Sequence, residues 1–121
     1  MWVVQVVRMA THRTFIATYI MASGRNGTLY TGMTANLTAR VWKHRTGVFD
    51  GFSREHGCTL LVWFEQHAWV VEAIAREKTI KKWKRDWKLA LIEGVNPEWL
   101  DLAADWYPVA DPNWVPPVEA D

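Results

Sequence analysis

Cysteine is almost missing from this chain: Cys58 is the single one in 121 residues. That excludes an intramolecular disulfide and a zinc cluster built from cysteines. A reducing setting is the expectation that follows, with the cytoplasm as the default location. Long apolar runs are also lacking. The stretch Trp2 to Val7 falls far short of the roughly 20 residues a membrane-spanning helix needs. It has no basic region before it and no long apolar core, so neither a signal peptide nor a membrane partner is expected. A dominant charge is missing too. The formal net charge is +1, which excludes a protein-wide basic field. There is no internal repeat of solenoid length, and no zinc finger or helix-turn-helix to supply a separate recognition domain.

What is present points to one compact domain. Half of the residues are apolar and nine are Trp, enough for a small core. A disordered chain would be poor in aromatics and high in net charge. The charge is also unevenly spread. Lys78, Lys81, Lys82, Lys84, Arg85 and Lys88 form a basic run, whereas Glu93 to Asp121 has no Lys or Arg. An acidic end cancels the total charge without cancelling a local patch.

Residues 1–14 read as a leader, either an added strand or a loose extension. Residues 15–21 and 28–33 are rich in β-branched and aromatic types and read as strands. Between them lies Asn26-Gly27, a strong hairpin signal. A helix follows, with Asn36 as N-cap (Thr34 being a second candidate) and Gly47 as its C-terminal stop. Gly51 to Arg54 reads as a loop and Thr59 to Gln66 as a third strand. A long helix is expected over 69–84 and a short one over 86–92, with Asp86 as its cap. Asn96-Pro97 opens a last helical turn near Trp99 to Ala103. The expectation is an α/β (α+β) fold: a small three-stranded antiparallel sheet flanked by helices, in the order β-β-α-β-α-α. The domain spans 15–103, and 104–121 form a Pro-containing acidic tail.

Four groups of residues bear on chemistry. Tyr19 and Tyr30 occupy the two strands of one hairpin; ordinary half-buried strand aromatics would look the same. Arg40 and His44 share one helix face. An Arg fork grips a phosphate through parallel bonds, and a His one turn away moves a proton, but a solvated basic face with Lys43 and Arg45 would also fit. Glu77 has Val70, Ala73, Ile74 and Ile80 on its helix face. A carboxylate in an apolar stripe must be neutralised, paired or metal-bound. Lys81 and Lys84 are its candidate partners. Lastly, Lys81, Lys82, Lys84, Arg85 and Lys88 interleave with Trp83 and Trp87. This is either a phosphate-tracking patch with stacking surfaces or core tryptophans beside solvated lysines.

Taken in order, these groups resemble a known pattern. Ala17-Thr18-Tyr19, Asn26-Gly27-Thr28-Leu29-Tyr30-Thr31-Gly32, Arg40 with His44, and Glu77 in Ile74 to Trp83 resemble the GIY-YIG nuclease superfamily. The likeness is to its small stand-alone bacterial members, and more distantly to the N-terminal nuclease domain of the bacterial repair excinuclease. Phe52 to Arg54, Trp87 to Glu93, and Asn96 to Trp99 extend it over roughly 15–103. Ala17-Thr18 replace the Gly-Ile of the first motif, and Thr31 replaces the Ile of the second. His56 stands where many relatives carry a further tyrosine. The resemblance implies a metal-dependent endonuclease that hydrolyses phosphodiester bonds of DNA, branched or damaged forms included, with one Mg²⁺ (or Mn²⁺). It implies Glu77 as metal ligand, Arg40 as phosphate contact, Tyr19 as first choice for base, Tyr30 as orienting group and His44 as relay. Lys43, Arg54, Lys81, Lys84, Arg85 and Lys88 are the expected nucleic-acid contacts. DNA is expected ahead of RNA, and the protein is expected as a monomer or homodimer. The degenerate motif leaves a nucleic-acid-binding module open, and the Trp-rich composition leaves a self-association protein open.

Overall fold

A computed structural model describes residues 15–47 and 51–107; the expected leader and most of the expected tail lie outside the described residues. Seven elements follow in order: β1 (Ala17–Ala22), β2 (Leu29–Thr34), α1 (Leu37–Thr46), α2 (Phe52–Glu55), β3 (Leu60–Gln66), α3 (Val70–Lys81) and α4 (Arg85–Val95). The three strands make one antiparallel sheet in the order β2-β1-β3. The expected order therefore holds, with one addition: Phe52 to Glu55 is a short helix rather than a loop.

The hairpin forms where Asn26-Gly27 indicated. Asn26 takes a left-handed φ of 57°, which Asn tolerates better than most residues. Ser23 closes the loop: its N–H donates to the Thr28 carbonyl, and its hydroxyl accepts from the Thr28 N–H at 2.9 Å. Across the loop, Arg85 donates to the carbonyls of Asn26 and Gly27 at 2.9 and 2.7 Å. The start of α4 is thereby tied to the tip of the hairpin.

β1 is the middle strand, and all six of its residues are buried, because helices cover both faces of the sheet. Tyr19 and Met21 point to one face, where they pack with Leu37 and Val41 of α1, Leu61, Ala103 and Tyr107. Ile20 and Ala22 point to the other, against Val62, Trp63, Ile80 of α3, Ile92 of α4 and Trp99. The β1–β3 register shifts between Ile20 and Met21, leaving Val62 without a partner on β1. This bulge lets Val62 and Trp63 join the same core cluster. Each fully buried large side chain here contributes about 1.5–3 kcal/mol relative to exposure.

α1 has the expected ends. The Asn36 side chain accepts from the Ala39 N–H, and Gly47 at φ 70° closes the helix through the His44 and Lys43 carbonyls. Asp86 lies in the first turn of α4, where its charge suits the helix dipole; the cap itself is Lys84, without a side-chain bond. The helical turn expected near Trp99 does not form. Asn96 instead ends α4, and Trp99 takes φ 57°, which breaks a helical path. The turn is held by Asn96, which accepts from the Leu100 N–H and donates to the carbonyls of Leu100 and Val62. Among the described residues, no helix is long and apolar enough to cross a membrane.

Candidate active site

The antiparallel register sets Tyr19 opposite Gly32, and Met21 opposite Tyr30. Side chains alternate along a strand, so both tyrosines project to the α1 face. The Tyr19 ring lies directly over Gly32. A Cβ at Gly32 would come within 2.7 Å of the Tyr19 hydroxyl, so the glycine of the second motif makes room for the tyrosine of the first.

Tyr19 is fully buried, and its hydroxyl lies 2.8 Å from His44 Nε2. His44 Nδ1 lies 2.8 Å from Ser53 Oγ, and the Ser53 hydroxyl donates to the Cys58 carbonyl at 3.4 Å. One polarity serves this chain throughout: Tyr19 O–H donates to Nε2, Nδ1–H donates to Ser53, and Ser53 donates to Cys58. The tautomer is assigned from this network. Tyr30 completes the cluster, its ring centroid 5.0 Å from that of His44 and 6.3 Å from that of Tyr19.

Burial lowers the His44 pKa from 6.5 to about 4, and the nearby Arg40 charge adds to the effect. His44 is therefore neutral at pH 7, as an acceptor for the Tyr19 hydroxyl must be. Tyr30 differs from Tyr19. It is partly exposed, and its hydroxyl has no hydrogen-bond partner among the described residues.

Thus Tyr19, Tyr30, Arg40 and His44 come together on one face of the sheet. Glu77 comes from the other. It lies on α3, which packs against β1 and β2 on the Ile20 side. Its side chain is 19% exposed and pairs with Lys81 at 3.2 Å. The apolar stripe inferred for Glu77 is real at Ala73 and Ile80, which are buried, but runs out at Val70, which is 42% exposed. Among the described residues, no group of three or more His, Cys, Asp or Glu is placed to hold a metal. The donor set that is present, one carboxylate with one oxygen not paired, suits Mg²⁺, which keeps several waters and needs few protein ligands. It does not suit zinc, which takes three or four protein ligands.

The basic residues divide. Lys81 is taken by Glu77 and Arg85 clamps the hairpin loop. Lys43, near the end of α1, is partly exposed, and Arg54, Lys81, Lys84 and Arg85 are exposed. Arg85 and Lys88 line one groove with Thr28, Leu29 and Phe52. The Trp83–Lys88 patch is half core and half surface. Trp83 packs partly buried on the second cluster, under Arg76, whereas Trp87 is 57% exposed. Ser53 is not among the expected site residues. It lies in the stretch Phe52 to Arg54 that extends the family resemblance, but it is nine residues from His44 and carries no local sign of its bond.

Comparison with known proteins gives the family. A family profile described as the GIY-YIG catalytic domain matches residues 15–90. The chain is 33% identical to a UPF0213 protein of Staphylococcus haemolyticus over 85 residues, covering 70% of this chain and 98% of that one. It is 41% identical to a UPF0213 protein of Clostridium perfringens over 68 residues, covering 56% and 73% of the two chains. These names state no activity. Similarity extends to the solution NMR structure of a UPF0213 protein from Bacillus halodurans, at 24% identity and a TM-score of 0.46, covering 74% of this chain and 96% of that one. With the motif tyrosines, Arg40 and His44 gathered on one hairpin and helix inside the matched span, the chain belongs to the GIY-YIG catalytic domain family, a nuclease-type fold.

Proposed function

We propose that this protein is an endonuclease that hydrolyses phosphodiester bonds of DNA with the help of one divalent cation, Mg²⁺ or Mn²⁺. The observation that carries this reading is the bonded chain from Tyr19 through neutral His44 to Ser53, set beside Tyr30 and Arg40. A structural role alone does not call for a buried His with both ring nitrogens engaged next to an unbonded tyrosine hydroxyl at the edge strand.

The scissile phosphate lies at the β2 edge, which Tyr30 and Arg40 reach from one face and α3, carrying Glu77, from the other. Arg40 binds the phosphate and stabilises the charge that develops on it. Glu77 would hold the cation, exchanging its bond to Lys81 for it. When bound, the cation supplies positive charge to the phosphate and the leaving oxygen. Burial favours Tyr30 over Tyr19, the expected first choice, as the base. Tyr19 is enclosed, so it acts through His44, holding the imidazole in one tautomer. Tyr30 has the free hydroxyl and meets the attacking water. To act on that water as a base, the tyrosine must give up its proton.

The test is cleavage of nicked, branched and single-stranded DNA with Mg²⁺ or Mn²⁺. The expected result is metal-dependent product in the native protein and none in Glu77→Ala, with circular dichroism unchanged. Undiminished turnover in that variant overturns the role of Glu77. A second reading, a nucleic-acid-binding module without turnover, is favoured by the Glu77–Lys81 pair. Its mark is salt-dependent binding with no product under either metal.

A further inference from the structure

Beside the tyrosine site lies a groove of about 260 Å³, lined by Thr28 and Leu29 of the hairpin, Phe52 of α2, and Arg85 and Lys88 of α4. Among the described residues, no carboxylate lines it. Its volume falls below the roughly 300–1,000 Å³ of pockets for drug-sized ligands, which suits one small planar group. Three features give it the character of a site. Phe52 is 49% exposed, with one ring face stacked on His56 at 4.2 Å and 24°. The imidazole is itself tied back to the Phe52 carbonyl, so the two rings form a fixed platform. Arg85 is held by the Asn26 and Gly27 carbonyls through one nitrogen, which leaves its other N–H groups to donate. Lys88 has no ion-pair partner, and the Thr28 hydroxyl no hydrogen bond, among the described residues.

A lone exposed Phe is ordinary. A stacked aromatic platform facing two cations is what a single nucleotide needs: a π face for the base and charge for the phosphate. The groove also adjoins the candidate site through α2: Phe52 precedes Ser53, which bonds His44, whereas Leu29 turns to the opposite face of the sheet from Tyr30.

We propose that this groove holds one unpaired nucleotide of the strand bound at the tyrosine site, its base stacked on Phe52 and its phosphate held by Arg85 and Lys88. The proposal rests on the nuclease reading for where the rest of the strand lies, and it sharpens that reading. The substrate is a strand with an unpaired nucleotide beside the scissile bond, not a continuous duplex.

The experiment uses the full chain with EDTA present, so that binding is read without cleavage. The probes are a short blunt DNA duplex and the same duplex with a single-stranded extension carrying 2-aminopurine. The extended probe is expected to bind about tenfold more tightly, with its fluorescence quenched by stacking. Phe52→Ala removes the preference and the quench, and Phe52→Trp keeps both. Lys88→Ala weakens the extended probe, lowers its salt slope by about one and leaves the blunt duplex unchanged. A ribose version of the extension, run alongside, identifies which sugar the groove takes, and Phe52→Ala must weaken whichever form binds. Equal affinity for the blunt and extended probes, or a preference that survives in Phe52→Ala, overturns the proposal. Cleavage without preference removes this proposal alone. Preference without cleavage removes the nuclease reading alone. No binding to any probe removes both.

Discussion

The environment of His44 makes acidification the most informative perturbation of this fold. The imidazole is 3% exposed and bonded at both nitrogens, and its pKa is lowered from 6.5 to about 4, first by burial and then by the Arg40 charge. In the unfolded chain the ring takes its proton near 6.5. In the folded chain it resists until about 4. Between these values the unfolded state holds more protons, so stability rises with pH. The contribution is fully present above 6.5, and is lost as pH falls through that window. The gap corresponds to roughly 3 kcal/mol, a large part of the ~5–15 kcal/mol that holds a typical domain together. The assay is urea denaturation at about pH 7.5 and about pH 4, for the native protein and His44→Gln, whose side chain does not titrate in this range. Carboxylates elsewhere act on both proteins, so the difference between the two pH dependences isolates His44. The native protein is expected to lose about 3 kcal/mol more than the variant. Direct NMR titration of the imidazole should place its midpoint near 4. Parallel pH dependences, or an NMR midpoint at the ordinary value of about 6.5, would refute the lowered His44 pKa and the burial argument behind it.

Two further outcomes follow from the packing. Gly32→Ala puts a methyl 2.7 Å from the Tyr19 hydroxyl and 2.8 Å from its ring carbon; in so enclosed a site the overpacking is expected to cost about 1–3 kcal/mol, read as a lower urea midpoint together with a raised His44 pKa as the Tyr19 contact is displaced. Asn96→Ala and Asn96→Asp both remove the donor to the Val62 carbonyl, and about 1–3 kcal/mol should be lost in each. Equal stability of Asn96→Asp and the native protein would mean that the turn is held by Trp99 packing instead.

Much of the fold is legible because its signals are local. The hairpin declares itself through Asn26-Gly27: Asn26 takes the left-handed backbone, and a Cβ at Gly27 would collide with Ser23 Oγ. α1 is bounded by Asn36 and Gly47 for equally local reasons. The turn at Asn96 misleads, because Asn-Pro reads as a helix start, whereas the Asn96 side chain bonds Val62 on a strand far away in sequence. α2 is too short and too polar for a periodic pattern to show. The basic-aromatic run could not be divided from sequence alone, since Trp83 and Trp87 differ in burial and not in kind.

The site divides along the same line. Motif order and helix spacing, which are properties of the chain, are enough to single out the tyrosine pair, Arg40, His44 and the anomalous Glu77 as candidates. How they relate in space comes from the packing of the folded chain. Strand alternation and the β1–β2 register put Tyr19 over Gly32, and both tyrosines on the α1 face. Packing of α2 against α1 brought Ser53 to His44, and burial made that histidine neutral. The placing of α3 on the opposite face put Glu77 on the far side of the sheet, whereas its pair with Lys81 is a matter of helix spacing. Long-range packing, which no spacing encodes, is what separates the enclosed Tyr19 from the accessible Tyr30.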